Sequence, residues 1–349
     1  MQVRVVRASE LSSTEIGHWN ELLTTVPGLQ SPFLAPAFVR TVARVRPSVR
    51  VAVITSGGHR SFLAFETRAR LAARPVAWPM NAAQAVVTAD LDGIGPLHRV
   101  ARSIGLGLVA FDHLVEPQAG ALTQVIGRDT TPLVEIDHGF DHYLEELASR
   151  STLARRMAAK ARRAERALGR LRLVVEETDH RVLDRVLTWK HGQYVRTGAR
   201  NLLADPGNVE LLHRLLDLRD ERCWGALSVL YAGSEPIAAS MDLRSPEELV
   251  AWFPSFAPEA ARCSPGSLHF LHLIEELAAR GVGRIDMGKG DDAFKAQFQN
   301  GAATVVSGRV AAPAFIHPIQ AALSARAAVR SEARRLRSVV VRGGLEPTA

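Results

Sequence analysis

The stretch "WGALSVLYAGSEPIAASMDLRSPEELVAWFPSF", Trp224 to Phe256, decides the fold. Three apolar and β-branched runs are separated by Ala232-Gly233-Ser234 and by Ser245-Pro246. Small and turn-forming residues at those two points predict a meander of three antiparallel strands. In the middle strand Ile237, Ala239, Met241 and Leu243 share one side, and Ser240 and Asp242 lie on the other. Asp242 is thus a carboxylate on an otherwise apolar sheet, suited to orienting or taking a substrate proton. In the third strand the alternation puts Val250, Trp252 and Pro254 on one face and Leu249, Ala251 and Phe253 on the other.

A helix follows at "CSPGSLHFLHLIEEL", Cys263 to Leu277, where Phe270, Leu271, Ile274 and Leu277 recur at helical spacing. Its first turn is Ser264-Pro265-Gly266-Ser267. Ser264 as N-cap and Pro265 at the first helical position make an ordinary start. The same turn leaves amides uncovered at the positive end of the helix dipole. Gly266 has no side chain to keep a large anion from the backbone. A strand, a bare turn and a helix suit a pyrophosphate.

On either side lie further polar groups. "IDMGKGDDAFKAQFQNG" places Asp286 at the end of a buried strand and Lys289 in a glycine loop. It lacks the spacing of a phosphate-binding Walker loop. Lys295 stands between Phe294 and Phe298, where aromatics hold an ammonium ready for a carbonyl oxygen or a phosphate. Upstream, "VLDRVLTWKHGQYVRTG" predicts a helix stopped at Gly198, with Lys190 and Tyr194 on one face as contacts for a polar acceptor.

The whole chain has 349 residues, more than one ordinary core organises, so two domains are expected. Its 47% hydrophobic and 23% charged residues are the balance of a folded protein. Two cysteines, Cys223 and Cys263, exclude a disulfide scaffold and fit a reducing cytoplasm. The first residues carry no apolar signal region, and no apolar run approaches the roughly 20 residues of a membrane span. His138 with His142, and His269 with His272, lack the acidic partner of a zincin, so no metal is expected. There is no G-x-S-x-G elbow for serine catalysis.

The net charge is +7, with arginine far outnumbering lysine. Two Ala-rich basic blocks carry much of it, residues 150–170 and the C-terminal "SARAAVRSEARRLRSVVVRGG". No aromatics interleave with them, which argues against single-stranded nucleic acid. The basic tail suits a weak contact with an acidic membrane surface. In the first half "VRVAVITSGGHRSFLAFETRAR" predicts a hairpin around Ser56-Gly57-Gly58-His59, and "SPFLAPAFVRTVARVRP" a helix between prolines. Strands and helices recur in similar order in both halves. The expected organisation is two related α/β units in tandem (an α+β class), residues 1–149 and 150–315, with a basic helical tail over 316–349.

Together, "WKHGQYVRTG", the meander, "WFPSF", "SPGSLHFLHLIEELAARG" and "IDMGKGDDAFKAQF" resemble the GNAT superfamily of acyltransferases. Within it they resemble the BioF2-like and CelD/BcsL-like acetyltransferases associated with exopolysaccharide and cellulose production. The resemblance covers residues 150–310 well, and "SPFLAPAFVRTVA", "VRVAVI" and "FLAFE" look like the same family's N-terminal portion. It implies tandem twisted, mostly antiparallel sheets flanked by helices, with an acyl-CoA lying where two central strands splay apart. Carried over, Ser264, Gly266 and Ser267 with Trp252 bind the cofactor, acetyl-CoA. The common loop R/Q-x-x-G-x-G/A is matched poorly by Arg262 to Ser267, with one glycine instead of two and a proline lacking an amide. Asp242, Lys295 and Tyr194 are the expected catalytic residues, and Lys190, Asp286 and Lys289 the expected substrate contacts. The implied reaction is direct acyl transfer to an amine or hydroxyl of a sugar or envelope precursor. "FKAQFQNGAATVVSG" is also similar to the Fem-type aminoacyl transferases, which have a lysine at the position of Lys295 and accept aminoacyl-tRNA. A tRNA donor is one alternative, and a non-catalytic module of a polysaccharide-synthesis complex is the other.

Overall fold

The structure is a computed structural model, and it describes residues 1–312. The expected basic tail, 316–349, lies outside the described residues. The first half contains β1 (Gln2–Val6), α1 (Ser13–Thr25), α2 (Pro36–Val45), β2 (Val49–Ser56), β3 (His59–Ala69), β4 (Ala72–Arg74), α3 (Leu91–Ile94), α4 (Leu97–Ser103), β5 (Leu108–Val115), β6 (Gln124–Glu135) and α5 (Phe140–Arg150). The second contains α6 (Leu153–Leu168), β7 (Leu171–Glu177), α7 (His180–Thr197), α8 (Pro206–Leu216), β8 (Trp224–Ala232), β9 (Glu235–Arg244), β10 (Glu248–Phe256), α9 (Pro265–Ala279), β11 (Arg284–Asp286), α10 (Ala293–Phe298) and β12 (Gly301–Ala311). Local chemistry explains several boundaries. Gly57 and Gly58 both have positive φ and close the β2–β3 hairpin. Asp179 caps α7 by accepting the Arg181 N–H at 2.8 Å.

The twelve strands of the described residues join one sheet, in the order β1-β2-β3-β4-β5-β12-β6-β11-β10-β9-β8-β7. The tandem repeat that sequence comparison of the halves does not display is plain in this order. On each side four antiparallel strands lead to a parallel pair, β4 with β5 and β10 with β11. The last strand of each half then crosses over: β12 lies against β5, and β6 lies against β11. β12 and β6 pair with each other along the seam, so the halves share a continuous hydrogen-bonded ladder.

The sheet buries three apolar clusters. One face carries a core that runs through both halves, from Trp19, Phe38 and Phe62 to Leu211, Met241 and Phe253. On the opposite face α5, α6 and α9 cover the second half and α3 and α4 the first. A buried polar group also ties the halves together. Glu66 accepts from Arg46 at 2.9 Å and Arg74 at 2.8 Å, and Arg46 reaches on to Asn208 of α8.

Candidate active site

β10 and β11 pair only across Glu248–Val250 and Arg284–Asp286, and then part. The equivalent opening in the first half is closed by its own chain. There Gln84 exchanges backbone bonds with His113 and Val115 at 2.8 and 3.0 Å, and Val87 with Phe62 at 2.8 and 2.9 Å. In the second half the opening holds a cavity of about 670 Å³. Asp242, Lys190, Trp252, Ser264, Gly266, Ser267 and Lys295, expected from sequence to act together, all line it.

A β-bulge shapes the wall of this cavity. Val250 faces Leu243 while Phe253 faces Met241, so β10 contains one residue more than β9. Strict alternation therefore fails here: Phe253 packs with Val250 in the first core instead of with Leu249 and Ala251. The bulge turns the Trp252 N–H to Asp242 Oδ1 at 2.9 Å, and its indole donates to the Met80 carbonyl at 2.8 Å. The first half thus holds one wall residue of the second half's cavity.

Asp242 is 0% exposed, and Ser240 Oγ also donates to its Oδ1. Its Oδ2 has no hydrogen-bond partner among the described residues. Burial pushes the carboxyl up to about 7 against the pull of Ser240, the Trp252 amide and Lys190. A solvated carboxylate would be a weak base; this one is poised near neutrality. Lys190 donates to the Pro254 carbonyl at 2.9 Å, and desolvation pulls its ammonium down to about 8.

The other end of the cavity is the start of α9. Ser264 is left-handed (φ 54°) and makes no side-chain cap, so the expected ordinary N-cap is absent. Its hydroxyl instead accepts from Lys160 of α6. The Ser267 and Leu268 amides both donate to the Ser264 carbonyl at 3.1 Å. The Gly266 amide has no acceptor among the described residues. Helix dipole, uncovered amide and Lys160 ammonium converge on one point, a setting for an anion.

Lys160 escapes sequence reasoning, and His269 enters it only as a metal ligand. Lys160 sits within an arginine-rich block that reads as a solvated face. Its signal is scarcity: the chain has four lysines, Lys160, Lys190, Lys289 and Lys295, and three of them bound the cavity or its anion end. Where arginine is the default cation, a compact ammonium is a specific choice. His269 lines the cavity with Nε2 2.9 Å from Ser228 Oγ, and burial pulls it down to about 4, so it is neutral.

Not all the expected residues reach the cavity as free groups. Asp286 is bonded by the Thr131 hydroxyl and by the Gly288 amide at 2.7 Å. Lys289 pairs with Asp129 at 2.8 Å and with Asp112 at 3.5 Å. Neither lines the cavity. Tyr194 stands beside it, its ring 5.5 Å from the Lys190 ammonium. The Lys295 ammonium donates to the carbonyls of Gly288, Lys289 and Gly290 at 2.8, 2.9 and 3.3 Å. It clamps the loop after β11, and burial lowers its pKa.

A family model described as an acetyltransferase (GNAT) domain matches residues 151–296. No curated protein matches the sequence. Among solved structures, FemX has a TM-score of 0.59 at 11% identity, with 88% of this chain and 96% of FemX covered. A conserved protein of unknown function from Bacteroides thetaiotaomicron has a TM-score of 0.55 at 9% identity, covering 88% of this chain and 100% of that one. The C-terminal DUF2156 domain assigned to a lysylphosphatidylglycerol synthetase of Agrobacterium fabrum has a TM-score of 0.53 at 15% identity, covering 91% and 96%. At such identities the likeness is one of fold. Residues 151–296 are thus matched as a GNAT acetyltransferase domain.

Proposed function

We propose that the protein transfers an acyl group, acetyl in the first instance, from acyl-CoA to an amine or hydroxyl of a sugar or cell-envelope precursor. The observation that carries this is the pairing of ends in one cavity: a buried carboxylate with a free oxygen at one, and an uncovered helix start beside Lys160 at the other. The donor pyrophosphate sits at Gly266 and Ser267, and the pantetheine arm runs between β10 and β11. Asp242 Oδ2 takes the acceptor's proton as its N or O attacks the thioester carbonyl. The C–S bond then breaks, its electron pair stays on sulfur, and Asp242 returns the proton to the thiolate. Lys190 stabilises the negative charge on the carbonyl oxygen, because the Trp252 amide is committed to Asp242. Lys295 acts through the loop it clamps. Holding both substrates in one cavity supplies much of the rate.

Two free cysteines, Cys223 buried and Cys263 half-buried, support a reducing compartment, and we place the reaction in the cytoplasm. Among the described residues no helix is long and apolar enough to cross a membrane. The fold shared with FemX supports one second reading, aminoacyl transfer from charged tRNA. Thiol release from acetyl-CoA, followed over a panel of amino sugars and nucleotide sugars, tests the first reading. Acceptor-dependent release that Asp242→Asn abolishes supports it. Release from no acyl-CoA, together with acyl transfer from a charged tRNA, replaces it with the second.

A further inference from the structure

The first half carries a second cavity, of about 450 Å³, that shares no lining residue with the acyl cavity. Arg7, Arg40, Arg44 and Arg50 line it with Ser9, and no carboxylate does. Among the described residues these four arginines form no ion pair with a carboxylate, as is true of most arginines there. The nearest acid in sequence, Glu10, turns its carboxylate to the Arg7 backbone N–H at 2.8 Å.

Arg7, Arg40 and Arg44 are exposed at the rim of this cavity, and Arg50 is half-buried. Arg40 and Arg44 are four residues apart on α2, a like-charge spacing that weakens a helix. The Arg50 guanidinium is held by the Pro47 and Val49 carbonyls at 2.6 and 2.7 Å. One group is therefore fixed in advance, and three more converge on the same concavity. Guanidiniums donate and never accept, and their forks match the oxygens of phosphate. The cavity has no aromatic side chain on which a base stacks. Its size suits one phosphorylated group instead of a run of nucleotides.

We propose that this cavity, framed by the turn after β1, by α2 and by the start of β2, is a binding site for a phosphoryl group, carried by a soluble phosphate ester or by an anionic lipid headgroup. It does not depend on the acyl-transfer reading.

The test is calorimetric titration of inorganic pyrophosphate into the full chain. Arg40→Gln/Arg44→Gln is expected to weaken binding at least tenfold. Arg163→Gln/Arg166→Gln removes the same charge from exposed positions of α6 and is expected to leave it unchanged. Lys160→Gln, at the acyl cavity's own anion end, is expected to spare this binding event. Arg40→Lys/Arg44→Lys keeps the charge without the forks and is expected to bind with intermediate affinity, which separates lost recognition from lost folding. Co-sedimentation with phosphatidylcholine vesicles that requires added phosphatidylglycerol and vanishes in Arg40→Gln/Arg44→Gln assigns the lipid source. Pyrophosphate binding without vesicle binding assigns the soluble one. Equal pyrophosphate binding by wild type and Arg40→Gln/Arg44→Gln overturns the proposal, and so does an equal loss in both double glutamine variants. Binding of a tRNA through Arg40 and Arg44 with no pyrophosphate binding overturns it too.

Discussion

Trp252 donates its backbone N–H to Asp242 Oδ1 at 2.9 Å, and that bond exists because β10 bulges between Val250 and Phe253. The bulge does two things together. It fixes one carboxylate oxygen on the sheet, and it leaves the other without a partner at the wall of the cavity. A proton acceptor held in one orientation is what acyl transfer to a neutral nucleophile requires.

Asp242→Asn keeps the shape and removes the base. Turnover is expected to fall by roughly 10²–10⁴-fold, the usual worth of a positioned general base. Michaelis constants should change far less. A variant with full turnover would move the base elsewhere.

In the wild type kcat/KM should rise through about pH 7 as Asp242 ionises and fall through about pH 8 as Lys190 loses its proton. Lys190→Met should erase the alkaline limb and keep the acid one. Stability runs in the opposite sense to the acid limb. The folded Asp242 carboxyl is raised from 3.8 to about 7, so its contribution is fully present below pH 4 and lost as the pH rises through 7. That loss is on the order of 4 kcal/mol, and Asp242→Asn should flatten it in denaturant titrations across this range.

Gly266→Ala separates fold from binding. A Cβ there meets only the Phe256 ring at 3.7 Å, an ordinary contact, and Gly266 has no positive φ. Melting temperature should hold or rise slightly, since alanine favours a helix by roughly 0.5–1 kcal/mol. The KM for acyl-CoA should rise several-fold, because the methyl group stands where the phosphate approaches. An unchanged KM would detach this helix start from the donor.

Lys295→Met removes a clamp on three carbonyls. A loss of about 2 kcal/mol in stability is expected, with faster hydrogen exchange at the Gly288 and Gly290 amides. If Lys295 met the reacting oxygen directly, turnover would collapse while the loop stayed protected.

Much of this was legible in the sequence. Turn residues and alternation define the meander, and a lone Asp among apolar neighbours marks Asp242. The tandem order of strands and helices also shows. Three things did not show, for physical reasons. A bulge adds one residue to one strand, which alternation cannot detect, so Phe253 is assigned to the wrong face. The crossing of β6 and β12 is a choice between pairing partners that lie 100 residues or more apart in the chain. Lys160 reaches Ser264 only through the packing of α6 beside α9, and Asp286 and Lys289 find partners in β5 and β6 that no local spacing reveals.

In the proposed reaction an acyl-CoA binds between β10 and β11 with its pyrophosphate at the start of α9. Calorimetric titration of acetyl-CoA into the full chain tests it most directly, with Gly266→Ala and Lys160→Gln alongside. One molecule bound per chain and a clear loss of affinity in both variants are expected, with the melting temperature of each unchanged or slightly raised. No binding at a large excess of acetyl-CoA, or equal binding by all three proteins, would contradict it.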